Sequence, residues 1–224
     1  ENWAQKDLKS WNYNNVLPYF KKSESIEGLD ETYRNKSGPL KLSRSSEGNE
    51  LSKVYLEAAE QAGYEINNDM NGYKQEGFGL MDTTIYGGRR QSTSVTYLHP
   101  VINRRNLTVI TNTIVNKVII ENNKAVGVEC IEGREIKSIY AENEVILSAG
   151  AINSPQLLML SGIGNAEELK KLDISVQHDL RGVGENLQDH LETYLQYECT
   201  KPVTLYTSYN PIRMAFIGIE WFIF

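Results

Sequence analysis

Cysteine is almost missing: Cys130 and Cys199 are the only two in 224 residues. They lie far apart and show no metal-ligand spacing, which excludes a disulfide framework or a zinc site and favours a reducing compartment. Both are expected to be buried as small apolar residues. Histidine is limited to three positions, so His99, His178 and His190 are the only imidazole carriers of acid–base chemistry near neutral pH. No basic run is longer than a pair, and the net charge is -6, so nucleic acid is not an expected partner. A cationic small molecule stays compatible with that acidity. No apolar run approaches the roughly 20 residues of a membrane span, and no charged-then-apolar leader is visible. The first residue is Glu1 rather than Met, and the apolar stretch from Phe216 to Phe224 stops without a turn or cap. The sequence is therefore expected to be a fragment. Internal repeats and low-complexity linkers are absent as well.

What is present is ordinary globular composition, 40% hydrophobic and 23% charged, enough for one sizeable core or two small ones. Between Asn49 and Gly63, Leu51, Val54, Tyr55, Ala58, Ala59 and Ala62 keep the 3–4 spacing of an amphipathic packing helix closed by glycine. Gly28 to Gly48 is rich in Ser, Gly, Glu and Lys and reads as a surface excursion, and the glycine-rich Asn67 to Gly88 reads as loop. From Leu107 onward short β-rich runs follow: Leu107 to Ile110, Val115 to Ile120, Lys124 to Cys130, Glu135 to Tyr140 and Glu144 to Leu147. Polar pairs such as Asn122-Asn123 separate them, so four of the five are expected to form a meander. The last run, Val145-Ile146-Leu147, lacks alternation and predicts a central strand buried on both faces. Asn165, with Glu168 three residues on, predicts a further capped helix through Leu169 and Leu172. Strand, helix, helix, strand makes the fold class α/β.

Directly after Leu147 come the small residues Ser148-Ala149-Gly150-Ala151, with Ser154-Pro155 as the expected N-cap and first-turn proline of a helix. Such a bare turn lets backbone approach a flat or anionic ligand, and the helix N-terminus adds the positive end of its dipole. Two other glycine patterns, Gly162-Ile163-Gly164 and Gly182-Val183-Gly184, lack the third glycine or alanine and the strand context of a dinucleotide fingerprint. Neither is read as one.

The stretch from Gly150 to Gly164, with Ser154-Pro155, Leu158 and Ser161-Gly162-Ile163-Gly164 at their spacing, resembles the second signature of the glucose–methanol–choline family of flavin-dependent alcohol oxidoreductases. Asn71 to Gly79, Arg105 to Val109 and Gly182 to His190 resemble further family segments, in family order, so the likeness covers nearly the whole chain. The opening Glu1 to Gln5, Val16 to Phe20 and Leu191 to Cys199 are most similar to choline-oxidising members. The resemblance implies part of an FAD-binding Rossmann-like domain joined to part of an antiparallel-sheet substrate domain. It divides the chain into a loop-rich cap segment (1–98), a flavin-domain portion of meander, central strand and helices (99–190), and the start of the substrate-domain sheet (191–224). The family's phosphate-binding GxGxxG and its alcohol-deprotonating histidine are expected outside these residues. The segment alone is accordingly expected to be inactive.

Site residues carry over one by one. Val115 matches a strand valine whose backbone holds the adenine edge of FAD; by sequence alone it is a core strand residue. Ala149 and Gly150 match the bare turn against the flavin nucleotide. His190 matches an auxiliary polar group near the flavin, the competing reading being a satisfied structural histidine. Glu192 matches the carboxylate that faces a trimethylammonium group, where aromatic faces add roughly 0.5–2 kcal/mol of cation–π attraction each; by sequence alone it is a solvated acid. His99 and His178 carry no motif and are read as structural, and no metal is implied. Where choline-oxidising members have tryptophans, this chain has Thr207 to Arg213, with Tyr209 as the available aromatic and Arg213 as a cation that would repel choline.

The implied reaction is FAD-dependent oxidation of a primary alcohol, choline to betaine aldehyde. Two alternatives stand beside it: another small aliphatic or aryl alcohol, and a flavin-free scaffold. Oxygen, a quinone or an electron-transfer partner all fit as acceptor. The implied location is the cytoplasmic side, peripheral to a membrane, or the mitochondrion in a eukaryote.

Overall fold

The structure is a computed structural model and describes residues 2–44 and 50–223. The end of the expected surface excursion and the expected helix start at Asn49 fall outside those residues. The chain divides into two units, residues 1–107 with 196–224, and residues 108–195.

In the first unit, α1 (Asn2–Gln5) and a 3-10 turn at Lys9–Trp11 lead into α2 (Tyr13–Ser23). Asn12 caps α2 by accepting the Asn15 N–H at 3.0 Å, which satisfies one of the free donors at a helix start. β1 (Glu24–Ser25) and β2 (Leu40–Lys41) pair in parallel, while β3 (Ser43–Arg44) pairs antiparallel with β4 (Asp82–Thr83). The excursion between β1 and β2 is not a free surface loop, because Arg34 within it is 3% exposed. Its guanidinium reaches Glu24 at 2.9 Å, Asp69 at 2.5 Å and Asp82 at 3.0 Å. Burial works against the charge of Arg34, and its bonds to Glu24 and Asp82 outweigh that cost and raise its pKa. α3 (Glu50–Gln61) forms where the helix was expected and ends at Gly63, φ +83, but of its apolar stripe Ala59 alone is buried, with Leu51, Val54 and Tyr55 exposed. β5 (Ile85–Tyr86) and β6 (Arg89–Arg90) close a hairpin through two glycines of positive φ, Gly87 and Gly88.

The second unit is built on β7 (Thr113–Glu121), β8 (Lys124–Glu132) and β9 (Glu135–Tyr140), an antiparallel meander in that spatial order. Asn122 and Asn123 both have positive φ, 49° and 63°, the type I′ geometry that matches strand twist across a two-residue hairpin. The expected strands at Leu107–Ile110 and Val145–Leu147 do not form, so the meander has three strands rather than four. Among the described residues nothing pairs with Val145–Leu147, and Ile146 is 74% exposed. An apolar run without neighbours has no ladder to join.

α4 (Gly150–Leu160) begins before the expected cap. Ser154 lies inside the helix, and its Oγ accepts the Ala149 N–H at 3.0 Å, reaching back across the first turn. β10 (Ile163–Gly164) pairs in parallel with β11 (His178–Asp179), and α5 (Ala166–Lys171) lies between them, capped by Asn165 as expected. Gly162 closes α4 with φ +83, and a Cβ there would stand 2.3 Å from the Ser175 carbonyl. Its glycine permits the close approach that seats β11, so this G-x-G is a packing device. The core gathers Val118, Cys130, Leu157, Leu169 and Val183; Cys130 is buried as expected.

The chain returns to the first unit without forming the expected sheet. Residues 191–204 carry no strand, and a 3-10 turn at Leu205–Tyr209 precedes α6 (Pro211–Ile223). With no partner strand beside it, the apolar tail satisfies its backbone internally as a helix. Trp221 Nε1 donates to the Gly88 carbonyl at 3.2 Å and tethers α6 to the β5–β6 hairpin. Cys199 is exposed rather than buried, as are all the residues from 191 to 200. No described helix is long and apolar enough to cross a membrane.

Candidate functional site

Two of the expected contacts share the second unit's folded body. The first is the bare turn entering α4. Ala149, Gly150 and Ala151 are exposed, Gly150 has φ +87, and no atom lies within 4 Å of where a Cβ would project from it. The turn presents backbone to open space beside the positive end of an 11-residue helix. It can take a planar or anionic group on the Gly150 side, while the Ala149 N–H is already held by Ser154 Oγ.

The second is Val115 on β7. Because β7 is an edge strand, its outward backbone groups have no ladder partner. Ser161, at the C-terminal end of α4, occupies that edge at Val118: its Oγ accepts the Val118 N–H at 2.8 Å and donates to the Leu157 carbonyl at 2.6 Å. Upstream of this clasp the edge is uncovered, with Ile114 70% and Val115 41% exposed. Val115 is thus half in solvent rather than a core residue. The register shifts between Val115 and Lys117, so Asn116 is the extra residue of a β-bulge. Asn116 Nδ2 donates to Glu129 Oε1 at 2.8 Å, and Lys117 reaches Glu129 Oε2 at 3.2 Å. These contacts, the Asn116 amide first, hold the Glu129 carboxyl below its ordinary range. Sequence reasoning missed this cluster; its signal is the polar pair Asn116-Lys117 interrupting apolar alternation.

The other two residues stand elsewhere. His190 and Glu192 lie on exposed chain outside any helix or strand. His190 donates its backbone N–H to the adjoining Asp189 carboxylate at 2.8 Å. Glu192 Oε2 accepts the Tyr194 hydroxyl at 2.7 Å, which raises the Tyr194 phenol above its ordinary pKa. The local pattern pairs a carboxylate with an aromatic ring two residues on, the elements that recognise an organic cation. His178 lies on β11, and His99 Nε2 is 3.4 Å from Ser94 Oγ.

The first unit adds a groove of about 1030 Å³ lined by Trp3, Trp11, Tyr19 and Phe20 among others. The Trp3 and Trp11 rings meet edge to face, 5.4 Å apart.

Comparison with known proteins gives a consistent picture. The chain is 50% identical over 221 residues to human mitochondrial choline dehydrogenase, covering 99% of this chain and 37% of that protein. It is 47% identical over 224 residues to the oxygen-dependent choline dehydrogenase of Brucella ovis, covering 100% of this chain and 41% of that protein. The chain thus spans about two fifths of the length of these relatives. Among solved structures, an FAD-dependent oxidoreductase from Chaetomium thermophilum superposes with a TM-score of 0.78 at 29% identity, over 84% of this chain and 35% of that one. A formate oxidase does so at 0.75 and 26% identity, over 84% of this chain and 34% of that one. The family description "GMC oxidoreductase" matches residues 1–192, and the chain belongs to that family.

Proposed function

We propose that this chain is the segment of an FAD-dependent alcohol oxidoreductase that holds part of the flavin nucleotide and supplies a carboxylate to the alcohol's cationic head, with choline as the substrate oxidised to betaine aldehyde. The observation that carries the reading is the 50% identity to human mitochondrial choline dehydrogenase over 99% of the chain. The residues present fit the cofactor, because the turn at Ala149 and Gly150 is exposed and nothing stands within 4 Å of where a Cβ would project from Gly150. Ala149 and Gly150 would hold the nucleotide through that turn, and Val115 would hold the adenine edge through its backbone. FAD, when bound, would supply the hydride acceptor. Glu192, kept in place by the Tyr194 hydroxyl, would orient the trimethylammonium head by charge, and His190 would serve as an auxiliary polar group.

The test uses the full-length protein that contains this chain. It should purify with bound FAD and oxidise choline with strong preference over neutral aliphatic and aryl alcohols of similar size. Equal efficiency on neutral alcohols would overturn the substrate, and a colourless protein that binds no FAD would overturn the enzyme class.

A further inference from the structure

The bulge on β7 is over-determined for a surface strand. In the run from Thr113 to Glu121 the apolar residues Val115 and Val118 are separated by two polar ones, so strict alternation would send one of the valines to the wrong face. The extra residue at Asn116 resolves that conflict by resetting the register. Glu129 on β8 then grips the bulge from both oxygens, through Asn116 at 2.8 Å and Lys117 at 3.2 Å. One residue beyond Lys117, the edge is pinned again by Ser161 at Val118. The fastened stretch ends where the uncovered edge begins, at Val115.

We propose that Asn116 and Glu129, with Ser161 as the second anchor, are positioning residues that fix the backbone of Val115 for nucleotide recognition. The inference rests on the reading above that Val115 contacts the adenine portion of FAD. A strand edge free to slide by one residue would offer the nucleotide alternating donor and acceptor groups in the wrong phase. A clamped bulge offers one arrangement and lowers the ordering cost of binding.

The experiment measures hydrogen exchange across residues 113–118 in the full-length protein, with and without FAD, together with the FAD dissociation constant. In the parent protein FAD should slow exchange there. Asn116→Ala should abolish most of that added protection and weaken FAD binding roughly tenfold, while the melting temperature of the FAD-free protein changes little. Glu129→Gln keeps an acceptor for Asn116 Nδ2 and should retain near-parental affinity where Glu129→Ala loses it, a difference that loss of generic stability would not show. If Asn116→Ala does not accumulate, Glu129→Ala breaks the same contact from β8 and is read in the same way. Protection by FAD that persists undiminished in Asn116→Ala, with unchanged affinity, would overturn the clamp and leave the Val115 contact standing. Absence of protection in the parent protein would overturn the Val115 contact itself, and the clamp with it.

Discussion

Ser161 and Val118 are 43 residues apart in sequence, yet the Ser161 hydroxyl takes the Val118 N–H at 2.8 Å in a buried setting. This bond fastens the C-terminal end of α4 to the open edge of β7, and the hydroxyl's own proton goes to Leu157.

Replacing Ser161 with Ala leaves the Val118 N–H buried and unpaired. The expected cost is about 1–3 kcal/mol, read as a lower melting temperature by thermal unfolding of the full-length protein. A melting temperature equal to the parent's would show that water or a neighbour replaces the hydroxyl.

Arg34 holds Glu24, Asp69 and Asp82 at once. Arg34→Ala removes the shared cation of three largely buried carboxylates, leaving Asp82 its weaker pairing with Arg44 at 3.4 Å, and should destabilise by about 3–5 kcal/mol. Arg34→Lys keeps the charge but cannot reproduce the fork that meets Glu24 through Nε and Nη2. It should recover less than half of the loss. Limited proteolysis between Glu24 and Arg44 reports the opening, with both variants cut faster than the parent.

Gly162→Ala should be among the most damaging single substitutions in the second unit. It combines a backbone of φ +83 with a Cβ 2.3 Å from the Ser175 carbonyl, so β10 and β11 must separate or the helix end must unwind. Yield of soluble protein and hydrogen exchange at Gln177 and His178 are the readouts.

Asp179 gives a pH prediction. Its Oδ1 accepts the Ala166 N–H at 3.0 Å, and that bond chiefly holds its carboxyl below the ordinary 3.8. A depressed carboxylate contributes stability that is fully present above its unfolded value and is lost as pH falls through the folded one. Protection of the first-turn amides of α5 should therefore stay constant from neutrality down to about pH 4–5 and fall only in stronger acid. Loss of protection already near pH 6 would point to a histidine instead.

Glu192→Gln in the full-length protein should raise the KM for choline roughly tenfold or more while FAD content stays at the parental level. It should also bring the Tyr194 phenol back toward its ordinary pKa, since the carboxylate that raises it is gone. Unchanged KM would remove Glu192 from the substrate site.

How far the sequence could be read depends on the range of the forces involved. The β7–β8–β9 meander was legible because its signals are local: β-branched runs interrupted by Asn122-Asn123 and Gly133. α3 was legible from its apolar stripe, and Asn165 from its capping chemistry. Val145–Leu147 was misread because a strand is a property of its partners as much as of its residues. Arg34 was hidden for a related reason: its partners Asp69 and Asp82 lie 35 and 48 positions away, and the surrounding Ser, Gly and Lys have the composition of surface. Of the candidate site, the bare turn at Gly150 was visible as a run of small residues. The bulge was marked only by the side-by-side Asn116 and Lys117, whose meaning emerges when Glu129 is placed opposite.

The outer strand of the meander has a consequence for handling this protein. β9 is exposed along its whole length from Glu135 to Tyr140, with Ile136 at 67% and Tyr140 at 68% exposure. Lys137 sits in the middle of it, bridging Glu132 at 2.5 Å and Glu135 at 3.6 Å. Those charges act as gatekeepers against a second molecule adding its own strand. Neutralising Lys137 would turn a guarded border into a seam for fibril-like stacking, and high salt would push the same way by weakening the guard.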